Sequence, residues 1–317
     1  MSEGSVVTFG ETMALVRTTD IGSLRHAHGM ALGIGGAETN VAIGLARLGV
    51  AVSWLGRVGD DSLGERVARE IRAEGVGVRA VVDADAATGL MIKERPSVAS
   101  TAVHYYRAGS AGSRVSASDL PVGWIEEASL LHVTGITPLL SASARAAVLA
   151  AVDRARAAGV RVSFDINYRS ALASATVAGP VLREIAEQAD IVFGGADEFA
   201  ILYPDAGPAE AAAALQDAGV ETVVLKQGPD GASVFVADAV IESSGFVIDA
   251  IDTVGAGDAF VAGYLSALLE GLDIDASLHR AHACGAMACL VPGDWEAAPT
   301  RRELARFLAG DADPVRR

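Results

Sequence analysis

The strongest constraint on how this chain folds is an alternation that settles in at Leu130. Short apolar runs at Leu130–Val133, Val160–Phe164, Ile191–Phe193 and Thr222–Leu225 read as strands. Between and after them, Ala142–Ala157, Val177–Glu187, Ala209–Ala218, Ala259–Leu269 and Ala276–Leu290 read as helices. Strands followed by helices through short links imply an α/β fold, a central, mainly parallel sheet flanked by helices on both faces. The first third extends the pattern. Val6–Phe9 and Val52–Leu55 are expected strands, Gly49 closes a helix carrying Val41, Leu45 and Leu48, and Gly75 ends one carrying Leu63, Val67 and Ile71. At 317 residues the chain suits one large α/β domain or such a domain with a smaller appendage.

The appendage has its own signal. Thr88–Lys93 and Thr101–Tyr106 are two β-like runs around a break at Pro96, which predicts a hairpin in a small sheet. Thr12 to Leu32 reads as irregular and mixed, Gly56–Asp61 as a loop, and 312–317 as a frayed tail.

Charge and cysteine usage narrow the function. A net charge of −15 argues against nucleic acid or an anionic membrane as partner, since both need basic surface. Cys284 and Cys289 share one apolar, helical stretch and read as small buried hydrophobes, with no disulfide framework or zinc site. No leader pattern or membrane-length apolar run is evident, so a cytoplasmic protein is expected. The six histidines have no ligand spacing; His279 and His282 lie three apart on a helix without a third ligand.

In open α/β sheets, ligands collect at the carboxyl ends of the strands. The polar residues there are Gly135–Thr137, Asp165–Arg169, Asp197-Glu198, Lys226–Gly228 and, above all, Asp252-Thr253-Val254-Gly255-Ala256-Gly257-Asp258. That last stretch follows Phe246–Ile251, an apolar run that reads as a strand, and leads into Phe260, Tyr264 and Leu268 at helical spacing. A Gly-rich turn at a helix start leaves N–H groups for an anion, and the macrodipole favours one. Asp258 beside such a cradle suits the acceptor of a proton from a hydroxyl attacking phosphate; alone, it would read as an N-cap.

The D-T-x-G-A-G-D spacing resembles the phosphate-binding signature of the ribokinase-like (PfkB) carbohydrate kinases. Gly35-Gly36 with Asn40, and Gly56–Gly64 (G-x-V-G-x-D-x-x-G), resemble other signatures of that family, and Lys226–Gly231 resembles its K-x-G-x-x-G nucleotide loop. Tyr105–Ala111 (Y-Y-R-x-G-S-A), Ser163–Arg169 and Gly293–Pro299 resemble the 2-keto-3-deoxygluconate kinases within it.

The resemblance implies a ribokinase-like domain over 1–311, with lid segments at about 12–34 and 86–112. It implies ATP-dependent phosphorylation of the C6 hydroxyl of 2-keto-3-deoxygluconate, with Asp258 as base and Gly255, Ala256, Gly257 and Asp258 as anion hole. Gly36, Asn40, Tyr105, Arg107, Arg169 and Asp294 are then expected at the sugar acid. Asn167, Arg169, Lys226, Gly228, Gly231, Gly255 and Gly257 are expected at the nucleotide. Mg2+ is expected with ATP; Glu198, in an N-x-x-E position where Gly195 replaces Asn, is expected to serve it through water. A monovalent cation such as K+ and a homodimer through the lid stay open. So do other acceptors (2-keto-3-deoxygalactonate, fructose, ribose, 5-keto-2-deoxygluconate) and a non-catalytic sugar sensor. A dinucleotide oxidoreductase is disfavoured, because no G-x-G-x-x-G follows the first strand.

Overall fold

The computed structural model describes residues 5–97, 100–237 and 239–310, so the expected tail lies outside the described residues. In chain order the strands are β1 (Val6–Phe9), β2 (Met13–Thr18), β3 (Met30–Gly35), β4 (Val52–Gly59), β5 (Gly77–Asp83), β6 (Leu90–Ser97), β7 (Ser100–Tyr106), β8 (Leu130–Thr134), β9 (Arg161–Asp165), β10 (Ile191–Gly195), β11 (Thr222–Lys226), β12 (Ala232–Val236) and β13 (Ala239–Ser243). The helices are α1 (Ala37–Arg47), α2 (Ser62–Ala73), α3 (Ala142–Ala157), α4 (Ala175–Ala186), α5 (Ala196–Leu202), α6 (Pro208–Asp217), α7 (Ala256–Leu269), α8 (Ile274–Ala288) and α9 (Arg301–Leu308).

The large sheet runs β13-β12-β11-β10-β9-β8-β1-β4-β5 and is parallel except for β12 and β13, which fold back as antiparallel edge strands. Its two faces are covered separately. Val148, Val152, Leu182 and Leu215 from α3, α4 and α6 pack on one side. Leu45, Val67, Leu265 and Leu278 from α1, α2, α7 and α8 pack on the other. Each such side chain, fully buried, contributes about 1.5–3 kcal/mol. Phe193 on β10 meets Tyr264 on α7 edge to face at 5.4 Å, which fixes α7 over the sheet centre. The separate four-stranded sheet is ordered β3-β2-β6-β7. Among the described residues, no helix is long and apolar enough to cross a membrane, and both cysteines are free and buried.

Several local expectations need correction. Phe246–Ile251 forms no strand. The backbone N–H groups of Ile251 and Asp252 both donate to the Cys289 carbonyl just past α8, so the segment is tied to a helix end instead of a sheet edge. Gly56–Gly59 is strand, because β4 stays paired with β5 as far as Gly59 opposite Asp83, and Arg57 bridges Asp83 and Asp119. The mixed stretch from Thr12 contains β2 and β3, which pair with each other while β2 also pairs with β6, and those partners supply the order the local pattern lacks. Pro96 does not break β6; the register shifts between Glu94 and Ser97, an irregularity that suits a residue with no N–H to donate.

Candidate active site

Gly255 opens α7 with φ +80° and ψ −7°, a left-handed conformation that costs glycine little. A Cβ there would lie 1.8 Å from the Asp294 carbonyl oxygen, so the turn is seated directly on the 293–295 loop. Gly255→Ala should therefore combine backbone strain of about 1–2 kcal/mol with a steric overlap. Abolished turnover with a lowered melting temperature is the expected result, and a variant of wild-type kcat would contradict it. The first turn of a helix leaves N–H groups without intrahelical acceptors. The Ala256 N–H turns back to the Thr253 carbonyl, whereas those of Gly257 and Asp258 have no acceptor among the described residues.

Asp258 follows in the same turn and is buried. Its two oxygens accept from Asn40 Nδ2 at 2.7 Å and Asn167 Nδ2 at 3.2 Å. Asn167 holds φ +37°, uncommon for a residue with a Cβ, at the turn after β9. Burial pushes the Asp258 carboxyl up to about 7, and the Asp165 charge adds to the push; the Asn40 hydrogen bond and the charges of Arg169 and Lys226 oppose it. A carboxyl poised near neutrality suits proton transfer.

Beside it, Lys226 at the end of β11 places Nζ 2.7 Å from Asp165 Oδ1 at the end of β9. Burial works against the ammonium, but the Asp165 and Glu198 carboxylates raise its pKa above the usual lysine value. The same Nζ lies 3.8 Å from where a Cβ on Gly257 would stand, so a cation borders the glycine turn. Asp165 Oδ2 is buried and unpartnered. Glu198 spends its oxygens on the N–H groups of Tyr168 and Gly195, each at 2.8 Å. Burial raises its pKa, against the pull of Lys226. No group of three or more His, Cys, Asp or Glu among the described residues is placed to hold a metal ion.

On one side of Asp258 opens a cavity of about 580 Å³, lined by Lys226, Gly228, Gly231, Gly257, Phe246 and Phe260 among others. That volume suits a nucleotide-sized ligand. Of the residues expected at the nucleotide, Asn167, Arg169 and Gly255 do not line it.

Of the residues expected at the sugar, Gly36 and Arg107 both meet Glu11, and Asn40 meets Asp258. Gly36 caps α1 in extended conformation, and a Cβ there would come 2.5 Å from the Glu11 carbonyl oxygen. Asn40 stands about 6 Å further along the same helix. The buried Glu11 carboxylate accepts Arg107 Nε at 2.7 Å and the Ser110 hydroxyl. The Arg107 guanidinium also lies over the Tyr105 ring, 5.7 Å from its centroid. Arg169 is exposed, and its guanidinium has no partner among the described residues. Asp294 is buried and paired with Lys93 on β6 at 3.1 Å.

Glu11 and Lys93 carry no role in the sequence reading. The alternation along β6 is the usable signal for Lys93: Met91 and Lys93 share the buried register, and a charge there needs a partner. Glu11 follows a strand end, but nothing local announces a partner 96 residues away.

The model of the pfkB family carbohydrate kinases matches residues 3–301. The chain belongs to that family and has its ribokinase-like fold. It is 36% identical over 308 residues to a 2-dehydro-3-deoxygluconokinase of Bacillus subtilis, covering 96% of this chain and 95% of the relative. It is 34% identical, over 96% of both chains, to a 2-dehydro-3-deoxygalactonokinase of Haloferax volcanii. Among solved structures, an Escherichia coli protein assigned as a ribokinase II, in complex with ATP and Mg2+, superimposes with a TM-score of 0.89 at 26% identity. That match spans 97% of this chain and 99% of the other.

Proposed function

We propose that this carbohydrate kinase transfers the γ-phosphoryl group of ATP to the C6 hydroxyl of 2-keto-3-deoxygluconate, the acid also called 2-dehydro-3-deoxygluconate. The observation that carries this reading is the position of Asp258. It sits in the anion turn, bordered by a nucleotide-sized cavity and held by Asn40 from the sugar-side helix. The acceptor hydroxyl gives its proton to Asp258 while its oxygen bonds to the γ-phosphorus. The bond from that phosphorus to the bridging oxygen of ADP breaks in line. The N–H groups of Gly257 and Asp258 and the Lys226 ammonium stabilise the charge on the moving group. Mg2+ would accompany ATP and offset phosphate charge. With no dedicated carboxylate cage among the described residues, the phosphates and water would hold the ion, with Glu198 and the unpartnered Asp165 Oδ2 at that end of the site.

Acid recognition rests on Arg107, with three of its five N–H donors beyond those on Glu11, and on Arg169, whose guanidinium has no hydrogen-bond partner among the described residues. The small sheet supplies Tyr105 and leads into Arg107, and acts as a lid that keeps water from the phosphoryl group. The Haloferax relative favours one second reading, the galactonate epimer as acceptor.

ADP release with Mg-ATP separates these readings over a panel of both keto-deoxy acids, fructose, ribose and gluconate. Turnover confined to one or both keto-deoxy acids is expected. Arg169→Ala should raise the KM for the acid about 10- to 100-fold, as loss of a charge-assisted pair does, without lowering the melting temperature. Turnover with a neutral sugar, indifferent to Arg169, would remove the acid reading and leave Asp258 its role. ATP binding with no turnover on any sugar tested would point to a sensor.

A further inference from the structure

Lys93 reaches from the small sheet into the main domain, and its side chain is 3% exposed. Three oxygens surround the ammonium: Asp252 Oδ2 at 2.7 Å, the Gly293 carbonyl at 3.0 Å and Asp294 Oδ1 at 3.1 Å. Two carboxylates and a carbonyl, all buried, are the donor set a hard cation takes. Here a side chain supplies the cation.

Each of these contacts leads back to the anion turn. Asp252 opens that turn, and its Oδ1 accepts the Val254 N–H at 3.2 Å. Its Oδ2 also accepts the Gly293 N–H at 3.3 Å, tying the turn to the 293–295 loop. Gly255 sits on the Asp294 carbonyl so closely that no Cβ fits between. The ammonium therefore fixes both the start of the turn and the surface it rests on. Without it, two buried like charges would face each other and drive the loops apart.

We infer that the Lys93 ammonium is a tethered cation that holds the Asp252–Asp258 turn in its anion-binding conformation, so that the chain needs no free monovalent ion there. Lys93 is then a positioning residue, since it acts on the turn and not on the reacting atoms. The potassium site left open by the sequence does not fit these residues, because their oxygens are already engaged by the lysine. The turnover arm of the test rests on the proposed kinase reaction; the melting arm does not.

Wild-type protein and the variants Lys93→Ala and Lys93→Met are compared in choline, sodium, potassium and ammonium chlorides at constant ionic strength. The wild type should show the same kcat and melting temperature in all four salts. Lys93→Ala in choline should lose about 10²-fold in kcat, the scale of a small misplacement of reacting groups, with smaller changes in either KM. Potassium or ammonium should restore most of that kcat and raise the melting temperature of this variant alone. Lys93→Met, which fills the space without charge, should stay slow in every salt. Activation of the wild type by potassium over choline would overturn the inference, and needs no variant to fold. So would a Lys93→Met variant with wild-type kcat, or a Lys93→Ala variant that is merely less stable and blind to cations. If no sugar turns over, the melting comparison still decides the cation question while the failure falls on the kinase reading.

Discussion

Asp258→Asn is expected to lower kcat by about 10²-fold or more while leaving ATP affinity nearly unchanged. On the proposed reading the carboxylate takes the hydroxyl proton, whereas the cavity is lined by other residues, so the loss belongs in kcat. Because the proton acceptor must be ionised, wild-type kcat/KM should climb as pH rises through about 7, and the variant should lose that limb. The same titration has a stability consequence of fixed sign. The folded pKa is raised above the ordinary 3.8, so the folded state is favoured most at low pH and loses ground as pH rises toward and past 7. The loss at alkaline pH is on the order of a few kcal/mol. An amide at this position carries no such penalty. The unpartnered Oδ1 of Asn40 is near enough to receive its N–H if that side chain turns over. Melting temperatures measured from pH 4 to pH 8 should show the variant gaining on the wild type as pH rises. A constant difference would mean that Asp258 does not titrate in that range.

Arg107→Ala is expected to cost about 3–5 kcal/mol of stability as well as turnover of the sugar acid. The reason is Glu11, whose side chain is fully buried and whose charge Arg107 answers. Truncating the arginine leaves the buried carboxylate with the Ser110 hydroxyl but without its counter-charge, so lost activity by itself would say little about the substrate. Adding Glu11→Gln removes that stranded charge and should recover much of the stability in urea denaturation. Activity on the keto-deoxy acid should stay low in the double variant, since the carboxylate anchor is still missing. Recovery of both would reduce Arg107 to a structural partner of Glu11.

The boundaries and contacts explain what could be read from the sequence and what could not. Ala142–Ala157 reads as a helix because its small residues favour one locally, and it forms over that span, with Ser141 accepting the Ala144 N–H at its start. The parallel core strands are legible for a similar reason, as apolar runs buried on both faces leave little ambiguity. Phe246–Ile251 misleads because an apolar run can line a cavity as well as a sheet, and only the Cys289 carbonyl decides. Likewise β2 and β3 lack a clean alternation and become strands through pairing with each other and, for β2, with β6 more than seventy residues later. Asp258 and the glycines before it stand out because their chemistry depends on close spacing. Glu11 and Lys93 do not, because a buried charge is defined by partners far along the chain.

The residues lining the large cavity all fall between Lys226 and Cys289, one contiguous stretch of the chain. Gly36, Asn40, Tyr105 and Arg107 precede that stretch, as does Arg169, and Asp294 follows it. On the proposed reading, the donor is thus handled by one contiguous length of polypeptide and the acceptor by residues outside it, and the two meet at Asp258. Diversification can then rewrite the taste for a sugar by changing residues outside that stretch, with the nucleotide machinery inherited intact.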